Sequence, residues 1–126
     1  MLADDPAYFK NDASFYGNVH ITGGGISYPY SAKTGTYTLT ESDSVVNVTS
    51  GTFTITLPSA VSIPGRVYTL KNSGSGTITV DGSTTETIDG SLTVKLLSRF
   101  SAITIQSDGA NWVILSCISP IQMSVP

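Results

Sequence analysis

Charge is what this chain has least of. Only 12% of its 126 residues are Asp, Glu, Lys or Arg, about half the share usual for a soluble domain. The six basic residues (Lys10, Lys33, Arg66, Lys71, Lys95 and Arg99) stand one at a time, and the formal net charge is −3. A nucleic-acid footprint needs clustered Lys and Arg, so this pattern argues against one. The single cysteine, Cys117, excludes an intrachain disulfide. Its neighbours Ile114, Leu115 and Ile118 predict a small hydrophobe in a strand, because no basic residue lies nearby to activate a thiol. No apolar run approaches the roughly 20 residues of a membrane-spanning helix. The opening Met-Leu-Ala-Asp-Asp shows neither the basic stretch nor the apolar core of a secretory signal. The expectation is a soluble chain made in a cytoplasm.

Serine and threonine supply the missing polarity, at roughly a quarter of all residues. A surface hydrated by hydroxyls repels its own kind weakly, so its sheet edges must be paired or covered. That is a first sign of obligate association. The run Thr52-Phe53-Thr54-Ile55-Thr56-Leu57-Pro58 sets the pattern for the rest. Phe53, Ile55 and Leu57 alternate with threonines, the period of a half-buried strand. Pro58 then ends the ladder, having no N–H to donate.

From Gly35 the same device repeats, with strands expected at 36–40, 44–48, 53–57, 66–71, 77–80, 85–88, 92–96, 100–105 and 112–117. Between them lie turn signals: Thr49-Ser50-Gly51, Ile63-Pro64-Gly65, Asn72 to Gly76, Asp81-Gly82, Asp89-Gly90 and Asp108-Gly109. No helical period competes. The expectation is an all-β domain, an antiparallel β-sandwich or jelly-roll-like head over 36–126. The last strand is apolar on both faces, Trp112 and Ile114 against Val113 and Leu115. It should therefore be central in its sheet or covered by another subunit.

Residues 1–35 read differently, as a short extended arm or stem. Asp4-Asp5-Pro6 is a turn or flexible start. Val19 to Ile21 is a short strand closed by Gly23-Gly24-Gly25, which suits a hinge, a crowded axis or a plain linker. Tyr8, Phe9, Phe15, Tyr16, Tyr28 and Tyr30 are candidate assembly anchors, because a segment too short for its own core needs a surface for its aromatics.

Chemistry finds little support. His20 is the only histidine, and it sits in the glycine-rich arm with no nucleophile elbow nearby. Asp43, Asp81, Glu86, Asp89 and Asp108 could in principle pair as glycosidase carboxylates or bind calcium. Each stands where a turn aspartate or glutamate bonds its own backbone, and no EF-hand spacing is present. Trp112 could be a sugar-stacking platform, but its place inside an apolar strand favours the core. Gly74-Ser75-Gly76 lacks the Lys-Ser or Lys-Thr of a phosphate loop. No catalytic, cofactor-binding or metal-ligating residue is assigned, and no enzyme is expected.

About two-thirds of the chain resembles a domain seen in bacteriophage fibre and appendage proteins. The resemblance runs through Tyr37-Thr38-Leu39-Thr40 with Asp43, then 53–58, and then Pro64-Gly65-Arg66-Val67-Tyr68-Thr69-Leu70-Lys71-Asn72. It continues in Gly76 to Val80, Thr87-Ile88-Asp89-Gly90, and Ser107 to Trp112. The stretch Gly17 to Gly24 is similar to short β segments that precede such heads. The resemblance implies a homotrimeric virion structural protein, a short tail or baseplate fibre whose arm grips other virion proteins. Its outer loops, such as Ser83-Thr84-Thr85 and Asn72 to Gly76, would be free to contact a host receptor or surface glycan. A capsid decoration, cement or head-fibre protein is the alternative, and a freestanding carbohydrate-binding module a third.

Overall fold

A computed structural model describes residues 8–119. The expected turn at Asp4-Asp5-Pro6 and the last seven residues of the chain lie outside them. Nine strands form in that span and no helix. They are β1 (Tyr30–Lys33), β2 (Tyr37–Thr38), β3 (Val45–Val48), β4 (Phe53–Thr56), β5 (Val67–Asn72), β6 (Ile78–Asp81), β7 (Thr93–Leu96), β8 (Ser101–Ser107) and β9 (Trp112–Ile118). They make a five-stranded sheet in the order β1-β3-β5-β8-β9 and a four-stranded sheet in the order β2-β4-β6-β7. The two inner faces enclose the core of a sandwich.

The expected antiparallel arrangement is corrected by the pairing. β1, β3 and β5 run parallel, as do β2, β4 and β6. The chain crosses to the other sheet after each of these strands, so it winds as three coils, each giving one strand to each sheet. Only then does it reverse: β7 lies antiparallel to β6, β8 to β5 and β9 to β8. This is not the hairpin-connected route of a jelly roll. The turn signals are real, but several carry the chain across the sandwich instead of folding it back. At the crossing after β5 the coils pack backbone to backbone. A Cβ on Gly76 would overlap the carbonyl of Gly51 and the Thr52 hydroxyl oxygen.

Alternation selects the inner face. Val46 and Val48, Ile55, Tyr68 and Leu70, Ile78 and Val80, Leu96, Ile103 and Ile105 all point inward and are buried, with Leu39, Leu57, Ile88 and Trp112 closing the ends. The turns behave as their residues dictate. Gly65 at φ +91° and the Arg66 amide donating to Ile63 O complete a type II turn. Asp89 at φ +46° and Gly90 at +83° form the type I′ turn that bridges Ile88 to Ser91.

Two further expectations are corrected. Residues 19–21 carry no strand, and at 85–88 only Ile88 makes isolated bridges, because the Glu86 amide turns back to Ser83 O. β1 pairs with β3, which places 30–33 in the sheet, and Pro29 O accepts from the Val45 amide, so the segment without a hydrogen bond to the sandwich ends at Tyr28. β9 is an edge strand, not a central one. Cys117 lies in a strand as expected but is exposed, because it sits at the open end of that edge.

Candidate interaction surface

The six candidate anchors separate into two groups. Tyr8, Phe9, Phe15 and Tyr16 stand exposed on a segment that makes no hydrogen bond to the rest of the described chain. Val19, Ile21 and Ile26 on the same segment are bare as well. Tyr28 and Tyr30 are held against the sandwich. Tyr28 lines a hollow of about 330 Å³ with Ser44, Val45, Val67 and Thr69. Tyr30 sits in β1, where its hydroxyl accepts from Asn47 Nδ2 at 3.1 Å. Glycines at 17 and 23–25 and the broken alternation leave 8–29 without a ladder or a core of its own.

Where the arm joins the sandwich, one buried carboxylate organises three elements. Asp43 is 6% exposed. Its Oδ2 accepts from the Tyr37 hydroxyl at 2.7 Å, the Thr40 amide at 2.8 Å and the Thr40 hydroxyl at 3.2 Å. Ser31 in β1 reaches its Oδ1 at 3.4 Å. The Asp43 and Glu41 carbonyls accept from the Arg66 guanidinium, and Thr40 O accepts from the Tyr68 hydroxyl. Lys33 Nζ lies 3.7 Å from the centre of the Tyr37 ring, and Arg66 lies 4.4 Å from that of Tyr68.

Burial pushes Asp43 towards the neutral acid, but the donors from Tyr37 and Thr40, with Lys33 nearby, outweigh it and hold its pKa below the ordinary 3.8. The same hydrogen bond to Asp43, with burial added, raises Tyr37 above 10.0. Burial also raises Tyr68, against the opposing Arg66 charge. Every acceptor position of this node is engaged within the chain, which marks it as a clamp between β1, β2 and β5.

The sign of its pH dependence follows. A carboxylate whose folded pKa is depressed contributes stability above its unfolded pKa, near 3.8, and loses it as pH falls through the folded value. Asp43→Ala is expected to cost about 2–3 kcal/mol at pH 7, the loss of charge-assisted hydrogen bonds. The deficit should shrink steadily below pH 4. Urea midpoints of both proteins from pH 2 to 7 check this, and a deficit independent of pH would remove the carboxylate from the account.

Three other acidic side chains hold backbone, Glu86 and Asp89 across the fold and Asp108 within its own turn. Glu86 accepts from Ser59 Oγ at 2.6 Å and the Ala60 amide at 2.7 Å. Asp89 accepts from the Ile114 amide. Asp108 accepts from the amides of Asn111 and Ala110, which lower its pKa. His20 is exposed on the arm. Among the described residues no three His, Cys, Asp or Glu side chains group closely enough to hold a metal ion. Trp112 is in the core as expected, 1% exposed and 5.6 Å from the Tyr68 ring.

Sequence reasoning missed a second apolar region. Leu97, Phe100, Leu115 and Ile118 are exposed at the side of the sandwich where β7 and β9 form the two sheet edges. Phe100 stands at φ +71°, rare for a bulky residue, with Lys71 and Arg99 at 5.6 and 4.9 Å from its ring. The signal available was Leu96-Leu97, two leucines in succession where the alternation allows one inside. No family model matches this chain, and no curated protein matches it.

Proposed function

We propose that the chain is a bacteriophage virion structural protein, a short homotrimeric fibre of the tail or baseplate, acting by binding and mechanics without turnover. The observation that carries this reading is a bare aromatic arm joined to a charge-poor β-sandwich. Tyr8, Phe9, Phe15 and Tyr16 have no surface to rest on within one chain. Large apolar groups left in water at this density mark an interaction site. An exposed edge strand on a weakly charged domain needs cover for the same reason. Both needs are met by assembly with copies of itself and with other virion proteins through the arm. The backbone amides that Asp43, Glu86, Asp89 and Asp108 accept from also favour a structural role for these carboxylates over a reactive one. The outer loop at 83–85 remains available for a host receptor or surface glycan, whereas 72–76, expected to be free as well, is packed into the sandwich with Asn72 and Gly74 buried.

Light scattering coupled to size exclusion tests this on the full chain. The expected mass is three times the 13.2 kDa protomer. Replacing Tyr8, Phe9, Phe15 and Tyr16 together with serine should abolish the trimer and release the protein from particles. The urea midpoint of the sandwich should move by less than about 0.5 kcal/mol, as for exposed sites. A stable monomer at the wild-type sequence, or an unfolded sandwich in the variant, would end the reading.

A further inference from the structure

We propose that residues 8–29 of one copy lie in the side groove of a second copy, between its β7 and β9 edges, so that neighbours join head to tail. The inference rests on the self-association proposed above and names the surfaces that perform it.

The groove is a hollow of about 260 Å³, lined among others by Leu96, Leu97, Ala102, Ile103, Cys117 and Ile118. Its floor belongs to the core: Leu96 and Ile103 are 4% and 5% exposed. Its rim does not, since Leu97 and Ile118 are 67% and 52% exposed. Here the two sheets part and the sandwich interior reaches solvent.

The β9 edge is screened only along its first part. The Trp112 amide donates to Thr87 O, Asp89 N donates to Trp112 O, and Ile114 N donates to Asp89 Oδ1. Beyond Ile114 no further segment of the described chain bonds this edge. A register shift opposite Thr104 and Ile105 leaves Leu115 as the extra residue of a bulge. An unpaired edge beside an apolar trough accepts an extended segment by strand addition, with alternate side chains filling the trough.

The chain holds one described segment of that kind. Residues 8–29 are without strand pairing and carry Tyr8, Phe9, Phe15 and Tyr16 bare. Four aromatics at about 150–250 Å² each supply roughly 600–1,000 Å², close to the ~800 Å² per partner of a stable interface. Position favours a second copy as the owner of the arm. The arm leaves from β1, at the opposite edge of the five-stranded sheet from β9. Four strand spacings, about 19 Å, separate the two edges. Among the described residues the four arm aromatics and the rim of the groove stay exposed within one chain, and Asp12 of the arm lies beside Glu41, Ile63 and Arg66, away from the groove. Set side by side, the β1 edge of one copy faces the β9 edge of the next. Arm and groove are different surfaces, so the contact is heterologous, and in the trimer proposed above three such contacts close a ring.

Cys117, the sole cysteine, lines the groove and makes the test direct. Single variants Tyr8→Cys, Phe9→Cys, Phe15→Cys and Tyr16→Cys are oxidised with oxidised glutathione and run on non-reducing gels, with masses of the linked peptides. Thr85→Cys, on an exposed outer loop, is the collision control. At least one arm variant should link to Cys117 of another chain about a thousandfold faster than the control, the ratio of a millimolar local concentration to micromolar protein. A link inside one chain would assign the groove to its own arm and overturn the proposal. Wild-type Cys117 joining Cys117 would show face-to-face pairing and overturn it too. A trimer by light scattering in which no arm position links to Cys117 would sink the proposal and leave the trimeric reading standing. A monomer would remove both.

Discussion

Replacing Trp112 with alanine is expected to destabilise the sandwich by about 3–5 kcal/mol, the range for emptying a buried aromatic site. In urea that is a midpoint shift on the order of 2 M for a domain of this size. Two facts make the site costly. The indole is 1% exposed and packs tilted on Tyr68, so alanine leaves a cavity bounded by rigid strands. Trp112 also opens β9, paired with Ser107 on one side and bridged to Ile88 on the other. Its loss therefore loosens both the last hairpin and the segment that screens the edge. The indole Nε1 is buried with no hydrogen-bond partner, and an unmet donor of this kind costs about 1–3 kcal/mol. Trp112→Phe removes that donor while keeping most of the volume, and should lose less than half as much as alanine. Unfolding followed by far-UV circular dichroism checks both variants. An alanine variant with a wild-type midpoint would take Trp112 out of the core.

Asn72→Ala should be comparably severe, at about 3–5 kcal/mol, for the opposite reason: this fully buried side chain uses both its donors and its carbonyl oxygen. Its Nδ2 donates to Gly76 O at 2.8 Å and Leu96 O at 3.1 Å, and its Oδ1 accepts from the Gly74 amide at 3.1 Å. The alanine variant strands three buried backbone groups, each worth about 1–3 kcal/mol when unpaired. Asn72 thereby holds together the crossing from β5 to β6 and the end of β7, one element of each sheet. Asn72→Asp keeps the shape and the acceptor for Gly74 but turns two donors into repulsion against carbonyls, so it should be no milder at pH 7. Urea midpoints give the magnitude. Hydrogen exchange at the Gly74 amide shows whether the loss begins at this crossing. A cost under 1 kcal/mol for alanine would mean that water replaces the amide there without penalty.

These two positions show the division of labour in the molecule. With so few charges, the fold is held by burial and by polar groups that lock backbone to backbone. Four of the six cations serve aromatic rings: Lys33 over Tyr37, Arg66 over Tyr68, and Lys71 and Arg99 over Phe100. Asp43, the one buried carboxylate among the described residues, is likewise structural, tying the start of the sandwich to the strand that the arm enters.

Much of this was written locally in the chain. Strands β2 to β9 lie where alternation places them, because the side-chain period of a strand is a property of consecutive residues. The type II turn at Pro64-Gly65 and the type I′ turn at Asp89-Gly90 follow from φ values that few other residues tolerate. Trp112 in the core and the carboxylates at turns were legible for the same reason. The parallel winding was not. Val45 stands beside Tyr30 on one side and Thr69 on the other, while Tyr37 stands beside Ile55 and Phe53 beside Ile78. Coils of unequal length leave no repeat to detect. Alternation says which face of a strand is apolar; it does not say which strand lies beside it or in which direction. That choice is made by long-range packing, and it alone sent β9 to an edge, exposed Cys117 and opened the groove at Leu97 and Ile118. The two-faced apolarity of β9 told from sequence that the strand wants cover. Only the tertiary structure decided that no described segment of its own chain bonds it beyond Ile114.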